Sequence, residues 1–230
     1  MASQGWARFA HRFGRYYQTS QFWRPPRMTM REWMFIPFGG APPLRHRAFR
    51  GENDLRQFLS ERAMHSCFYS TAYWNKPYEM KMDAKEWQGA DLIFDLDGDH
   101  LPGVTDRDFP GMLDVIRDQA HALWNDFLEP EFGFKREFLQ VTFSGHRGFH
   151  LHYRDPSLFH LDSEARRELV SHIRGEGVDV SGGLAQYNDV NSKGWSKRIR
   201  GQIPTLIGKL TDIATNAEDS KSTLKTLHLE

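Results

Sequence analysis

The sequence predicts an α+β fold, a mixed β-sheet flanked by helices. Segments with β-type patterning and segments with helical apolar spacing both occur, but without the strict βα alternation of a doubly wound sheet. Hydrophobic residues make up 39% and aromatic residues 13% of the 230 positions, enough for one sizeable core or one core and a small appendage, and this composition excludes a disordered chain. Neither internal repeats nor low-complexity blocks interrupt the pattern.

Taken in order, Gln4 to Thr19 places Trp6, Phe9, Phe13 and Tyr16/Tyr17 at helical spacing with arginines between them, which predicts an amphipathic helix. Pro25-Pro26 stops regular structure. Met30 to Phe38 is aromatic and strand-like, closed by Gly39-Gly40 and Pro42-Pro43, and Leu44 to Phe49 reads as its returning partner. Asn53 or Asp54 is the expected cap of a helix running to Ala63, and Ser66 to Trp74 is β-rich until Pro77. Ala90 to Asp97 is a short apolar run that opens into carboxylates. Leu101 to Asp108 reads as a loop. Met112 to Leu128 reads as a helix with Leu113, Ile116, Ala120, Leu123/Trp124 and Phe127 on one face.

Phe138 to Ser144 and Phe149 to Tyr153 are strands about a turn at Gly145 to Gly148. Asp162-Ser163-Glu164 caps and charges the start of a helix ending at Arg174. Beyond Gly175 the pattern loosens, helical character returns from Trp195, and the tail from Thr215 is polar and expected to fray. The expected organisation is a core over residues 1–175 and a helical extension over 176–230.

Formal net charge is zero, but its distribution is uneven. Residues 1–50 hold nine arginines, no lysine and one acid, Glu32, whereas residues 51–140 hold nine basic residues against eighteen acids. An arginine-only segment suits phosphate recognition, because guanidinium forks bind phosphate oxygens bidentately. The single cysteine, Cys67, excludes a disulfide framework and a multi-cysteine zinc site. No apolar run reaches membrane-spanning length, and Arg8, Arg12 and Arg15 break up any leader-like N-terminal segment. The expected setting is intracellular.

Two stretches carry the chemistry. In Ala90-Asp91-Leu92-Ile93-Phe94-Asp95-Leu96-Asp97, Asp95 and Asp97 lie two apart, so an extended backbone sends both carboxylates from one face. Carboxylates held that close repel unless a cation lies between them. Hard divalent ions take such oxygen ligands and leave room for phosphate oxygens. The second stretch is Val141-Thr142-Phe143-Ser144-Gly145-His146-Arg147-Gly148-Phe149-His150. Glycines on both sides of His146-Arg147 allow a sharp turn and close ligand approach. Ser144, Arg147 and His150 converge there as a cradle for a triphosphate.

These stretches follow Arg31-Glu32-Trp33, Arg45-His46 and Phe68-Tyr69-Ser70-Thr71-Ala72-Tyr73, and Phe132-Gly133-Phe134 lies between them. In that order the chain resembles the catalytic small subunit of archaeal and eukaryotic DNA primases from about Tyr16 to Arg174. The resemblance implies a primase-type catalytic core. It implies template-directed synthesis of short primers from NTP or dNTP by two-metal phosphoryl transfer with Mg²⁺ or Mn²⁺. Asp95 and Asp97 match the family's metal ligands, Ser144, Arg147 and His150 its phosphate contacts, and Arg31 a basic residue near the active site. The implied partners are a single-stranded DNA template and a primase large subunit in a heterodimer. No membrane is expected, and the setting is cytoplasmic and nucleoid-associated.

The chain departs from the family pattern in three places. Leu101 to Gly111 lacks the cysteines of a zinc cluster, so no structural zinc is expected. The family's third metal carboxylate has no evident match, with Asp179 and Asp189 as the acids able to substitute and Lys197-Arg198-Ile199-Arg200 resembling the later basic motif weakly. His146 stands where a basic residue often occurs. These departures motivate an alternative, a catalytically incomplete nucleotide- or nucleic-acid-binding fragment or scaffold. A third reading takes Phe94-Asp95-Leu96-Asp97-Gly98 as the opening motif of a haloacid-dehalogenase-type phosphatase. Against it, Asp99 replaces the expected threonine or valine, and no acidic metal pair follows.

Overall fold

The computed structural model of the protein describes residues 4–98, 108–145, 147–179 and 190–215. The α+β class is as expected. The chain divides into two compact units, Met1–Ile93 with His152–Leu161, and Phe94–Leu151 with Asp162–Glu230.

The first unit opens with α1, Gln4–Thr19, at the bounds its aromatic spacing predicts. A single 3₁₀ turn, Met28–Met30, delays the first strand, so β1 is Trp33–Pro37. β2, Leu44–Arg47, returns antiparallel to it. α2, Glu52–Arg62, begins at Gly51 with no side-chain cap; Asn53 and Asp54 lie inside its first turn, and Asp54 Oδ2 instead accepts the Arg50 N–H. β3, Met64–Tyr69, pairs antiparallel with the other edge of β1, giving the order β2-β1-β3. Met28, Trp33, Phe35, Phe49, Leu55, Leu59 and Met64 form the core between this sheet and the helices. Its aromatic content shows in the 4.8 Å separation of the Phe35 and Phe58 rings.

β4, Ala72–Trp74, and β5, Trp87–Ala90, form a second antiparallel sheet. The segment 152–161 completes this unit. Phe159 O accepts the Ala90 N–H at 2.9 Å, and its ring lies 5.1 Å from that of Tyr73.

Asp91 interrupts what the sequence suggests is one strand, and β6 runs Leu92–Asp97. The chain passes from the first unit to the second inside β6. There α3, Phe109–Ala122, starts earlier than expected because Asp108 caps it, accepting the Gly111 N–H at 3.0 Å. It continues as a π-helical segment, Leu123–Leu128, whose wider turn buries Leu123, Trp124, Phe127 and Leu128 together. β7, Leu139–Phe143, and β8, Gly148–Tyr153, form the hairpin read from the sequence, and the third sheet is ordered β6-β8-β7. The strands thus make three small sheets rather than one mixed sheet. β1–β2 and β7–β8 are joined by short turns, which give antiparallel pairs, whereas β1–β3 and β6–β8 pair across longer stretches of chain that include a helix.

α4, Ser163–Arg174, is capped by Asp162, which accepts the Ala165 N–H, as expected. α5 runs Gly194–Thr215. The expected loop, apart from Asp108, and the frayed tail beyond Thr215 lie outside the described residues. No helix among the described residues is long and apolar enough to cross a membrane.

Candidate active site

In β6 the side chains alternate. Leu92 and Phe94 are buried, whereas Asp95 and Asp97 are exposed, so two carboxylates leave one face at the end of an apolar strand. The strand end is seated by close packing. A Cβ on Gly98 would lie 2.8 Å from Ile116 and 2.9 Å from Met112, so α3 approaches the backbone directly after Asp97. On the other side, a Cβ on Gly148 would lie 2.1 Å from Leu96 O, between the two aspartates. Only glycine lets β8 come this close.

The turn joining β7 to β8 is held at both ends. The Ser144 N–H donates to Gly148 O at 2.9 Å, and the Gly148 N–H donates to Ser144 Oγ at 3.0 Å. Gly145 takes φ +88°, a left-handed conformation that glycine adopts without strain. The Gly98 N–H donates to Arg147 O at 3.0 Å, tying the turn to the end of β6. His150, on β8, brings Nε2 to 3.3 Å from Asp95 Oδ1. Asp95, Asp97, Ser144, Arg147 and His150 therefore belong to one sheet end in the second unit. His146 lies outside the described residues.

Two exposed carboxylates on one strand face are an oxygen-only donor set, and such sets suit hard divalent cations. Among the described residues, no group of three or more His, Cys, Asp or Glu gathers as a metal site. A cation held by Asp95 and Asp97 would complete its shell with water or phosphate oxygens. Asp179 is exposed, and Asp189 lies outside the described residues. Lys197 Nζ and Arg198 Nη1 both pair with Asp126, each at 3.1 Å.

Arg31 has a different place. It is wholly buried in the first unit. Nη2 donates to Asp91 Oδ2 at 2.8 Å and to Tyr73 Oη at 3.1 Å, Nε to Pro26 O at 2.8 Å, and Nη1 to Ser70 O at 2.6 Å. Arg154 Nε reaches the same Asp91 oxygen at 3.2 Å, and the Tyr73 hydroxyl donates to Asp91 Oδ1. Burial first, then the bond to Asp91, push the Tyr73 hydroxyl up to about 12. A guanidinium spent on these partners is not open to a phosphate, so Arg31 is the internal counter-ion of Asp91.

Sequence reasoning missed this cluster, and it missed wholly buried Lys85, whose Nζ lies 3.1 Å from Glu32 Oε2. The one signal for the first was Asp91 inside an otherwise apolar run. Nothing in the sequence marks Lys85.

Comparison with known proteins follows the same residues. A family model described as DNA primase small subunit matches residues 94–221. The chain is 36% identical to the DNA primase small subunit of Methanothrix thermoacetophila over 88% of its length, covering 56% of that protein. Against the same subunit of Methanocella arvoryzae the identity is 33% over 100% of the chain and 62% of the relative. Against that of Thermoplasma acidophilum it is 41% over 73% of the chain and 52% of the relative. The chain thus spans less than two thirds of the length of these curated relatives. The phosphatase reading of Phe94 to Gly98 gains nothing from these matches.

Proposed function

The chain belongs to the DNA primase small subunit family, and from that premise we propose that it carries the catalytic core of a template-directed nucleotidyltransferase making short primers. The observation that carries the reading is the meeting of Asp95 and Asp97 with the Ser144–Gly148 turn and His150 at one end of one sheet. Asp95 and Asp97 would hold divalent cations, Mg²⁺ or Mn²⁺, which when bound would supply charge neutralisation for the triphosphate and a lowered pKa for the attacking hydroxyl.

The chain's own side chains do the positioning. Arg147 forks two phosphate oxygens. His150, beside Asp95, donates to the same phosphates. Ser144 Oγ, fixed by accepting the Gly148 N–H, directs its own proton to a third oxygen. The 3′-oxygen attacks the α-phosphorus, pyrophosphate leaves, and the hydroxyl proton passes to solvent. Single-stranded DNA is the template, NTP or dNTP the substrate, and a primase large subunit the partner, in a cytoplasmic, nucleoid-associated setting. Residues 1–175 form the core and 176–230 its helical extension.

Primer synthesis on single-stranded DNA with labelled nucleotides and Mn²⁺ tests this, with and without the large subunit. Template-dependent product that disappears in Asp95→Asn/Asp97→Asn is the expected result. Product that survives both substitutions would remove the aspartates from the chemistry. Saturable triphosphate binding with no product, even with the large subunit added, would mean that the chain binds nucleotide without synthesis.

A further inference from the structure

In the first unit, the structure fixes a histidine in a conformation that costs energy. His46, on β2, takes φ +56°, a left-handed conformation that residues other than glycine use sparsely, though asparagine, aspartate and histidine enter it more often than the rest. It sits where the register slips. Trp33 faces Arg47 but Phe35 faces Leu44, so β2 accommodates one extra residue. Such a bulge re-aims a side chain, and strain of this kind persists only where the surroundings over-determine it.

The surroundings do so. Glu32 Oε1 accepts the His46 backbone N–H at 3.2 Å and lies 2.9 Å from the ring Nδ1. Glu32 Oε2 pairs with Lys85 Nζ at 3.1 Å, and that nitrogen also lies 3.5 Å from His46 Nδ1. Lys85 is wholly buried and also donates to Pro77 O at 2.9 Å. A buried ammonium is costly unless paired, so a buried lysine, its half-buried carboxylate partner and a left-handed backbone together hold one imidazole.

His46 is one of the residues lining a cavity of about 600 Å³, with Arg47, Arg50, Thr29, Asn75 and Tyr78. The volume is in the range of small-ligand sites. Among the described residues, no carboxylate lines it. Arg47 and Arg50 are both exposed, and the remaining polar lining is an amide and two hydroxyls. Two guanidiniums and an oriented ring with no acid among them are the chemistry of an anion site, and guanidinium forks match phosphate oxygens best.

We propose that this cavity binds a phosphate group, carried by a free nucleotide or by the end of a nucleic-acid strand, with Arg47 and Arg50 on its oxygens and His46 completing the cradle. The site shares no residue with the carboxylate strand and does not depend on the polymerase reading.

The test uses the whole chain carrying Asp95→Asn, Asp97→Asn and Arg147→Ala, in EDTA, so that the other candidate site is disabled. Fluorescence anisotropy compares a short labelled oligonucleotide ending in a 5′-phosphate with the same strand ending in a 5′-hydroxyl, and ATP is added as competitor. Either a preference of about tenfold or more for the phosphate end, or displacement by ATP, is expected, as charge-assisted hydrogen bonds provide. Displacement identifies the free nucleotide as the source, and a phosphate-end preference without displacement identifies the strand end. Adding Arg47→Ala/Arg50→Ala erases the effect. His46→Gly, which keeps the backbone conformation and removes the ring, weakens it without lowering the thermal unfolding midpoint. Neither preference nor displacement, or either one surviving the loss of both arginines, overturns the proposal.

Discussion

Arg31 and Arg47 have the same guanidinium and opposite fates. Arg47 is exposed at a cavity wall, whereas Arg31 is spent on Asp91, Tyr73 and two carbonyls inside the first unit. What separates them is the partner, and Asp91 is the partner that decides. Replacing it leaves the Arg31 and Arg154 guanidiniums in a dry site with their charge uncompensated, and breaking a buried pair from one side costs about 3–5 kcal/mol. Asp91→Ala is expected to lower the free energy of unfolding in urea by that amount. A loss under about 1 kcal/mol would mean that water reaches the cluster. At this scale the sequence was only partly legible. Asp95 and Asp97 announce themselves by spacing, but charged residues are mostly exposed, so nothing local distinguishes a buried Arg31 or Lys85 from a solvated one. Long-range pairing chose them.

Among elements, local chemistry was read best. α1 is set by its aromatic spacing and α4 by the Asp162 cap, and both signals lie inside the segment they govern. The division of strands into three sheets, the bulge at His46 and the break at Asp91 depend on partners far along the chain, and no local pattern encodes them. Helix contacts are also beyond local reading, and Gly14 illustrates this. In a solvated helix, Gly→Ala stabilises by roughly 1 kcal/mol. At Gly14 an added Cβ would lie 2.7 Å from Ser60 O, a backbone atom of α2. Gly14→Ala is therefore expected to destabilise by about 1–3 kcal/mol, as overpacked sites do. Gly201→Ala in α5, where nothing lies within 4 Å, should follow the ordinary sign. Equal gains at both positions in thermal melts would show that α1 shifts away from α2 freely.

For the whole molecule, the division of the chain matters more than its length. The first unit is discontinuous, needing His152–Leu161 as well as Met1–Ile93. That late segment brings Phe159 O to Ala90, the Phe159 ring to Tyr73 and Arg27, and Arg154 to Asp91. A fragment of residues 1–93 is expected to lack a cooperative denaturation transition, and a transition matching that of the whole chain would show the late segment to be dispensable. The same discontinuity imposes an order in time. A ribosome adds about 5–20 residues per second, so the first unit waits several seconds, while Phe94 to Leu161 is made, before Arg154 and Phe159 arrive. Through that interval Asp91 has one of its two guanidiniums and Tyr73 lacks its aromatic neighbour. The nascent chain is then most exposed to misfolding, and holding by a chaperone would be most useful just before Phe159 is made.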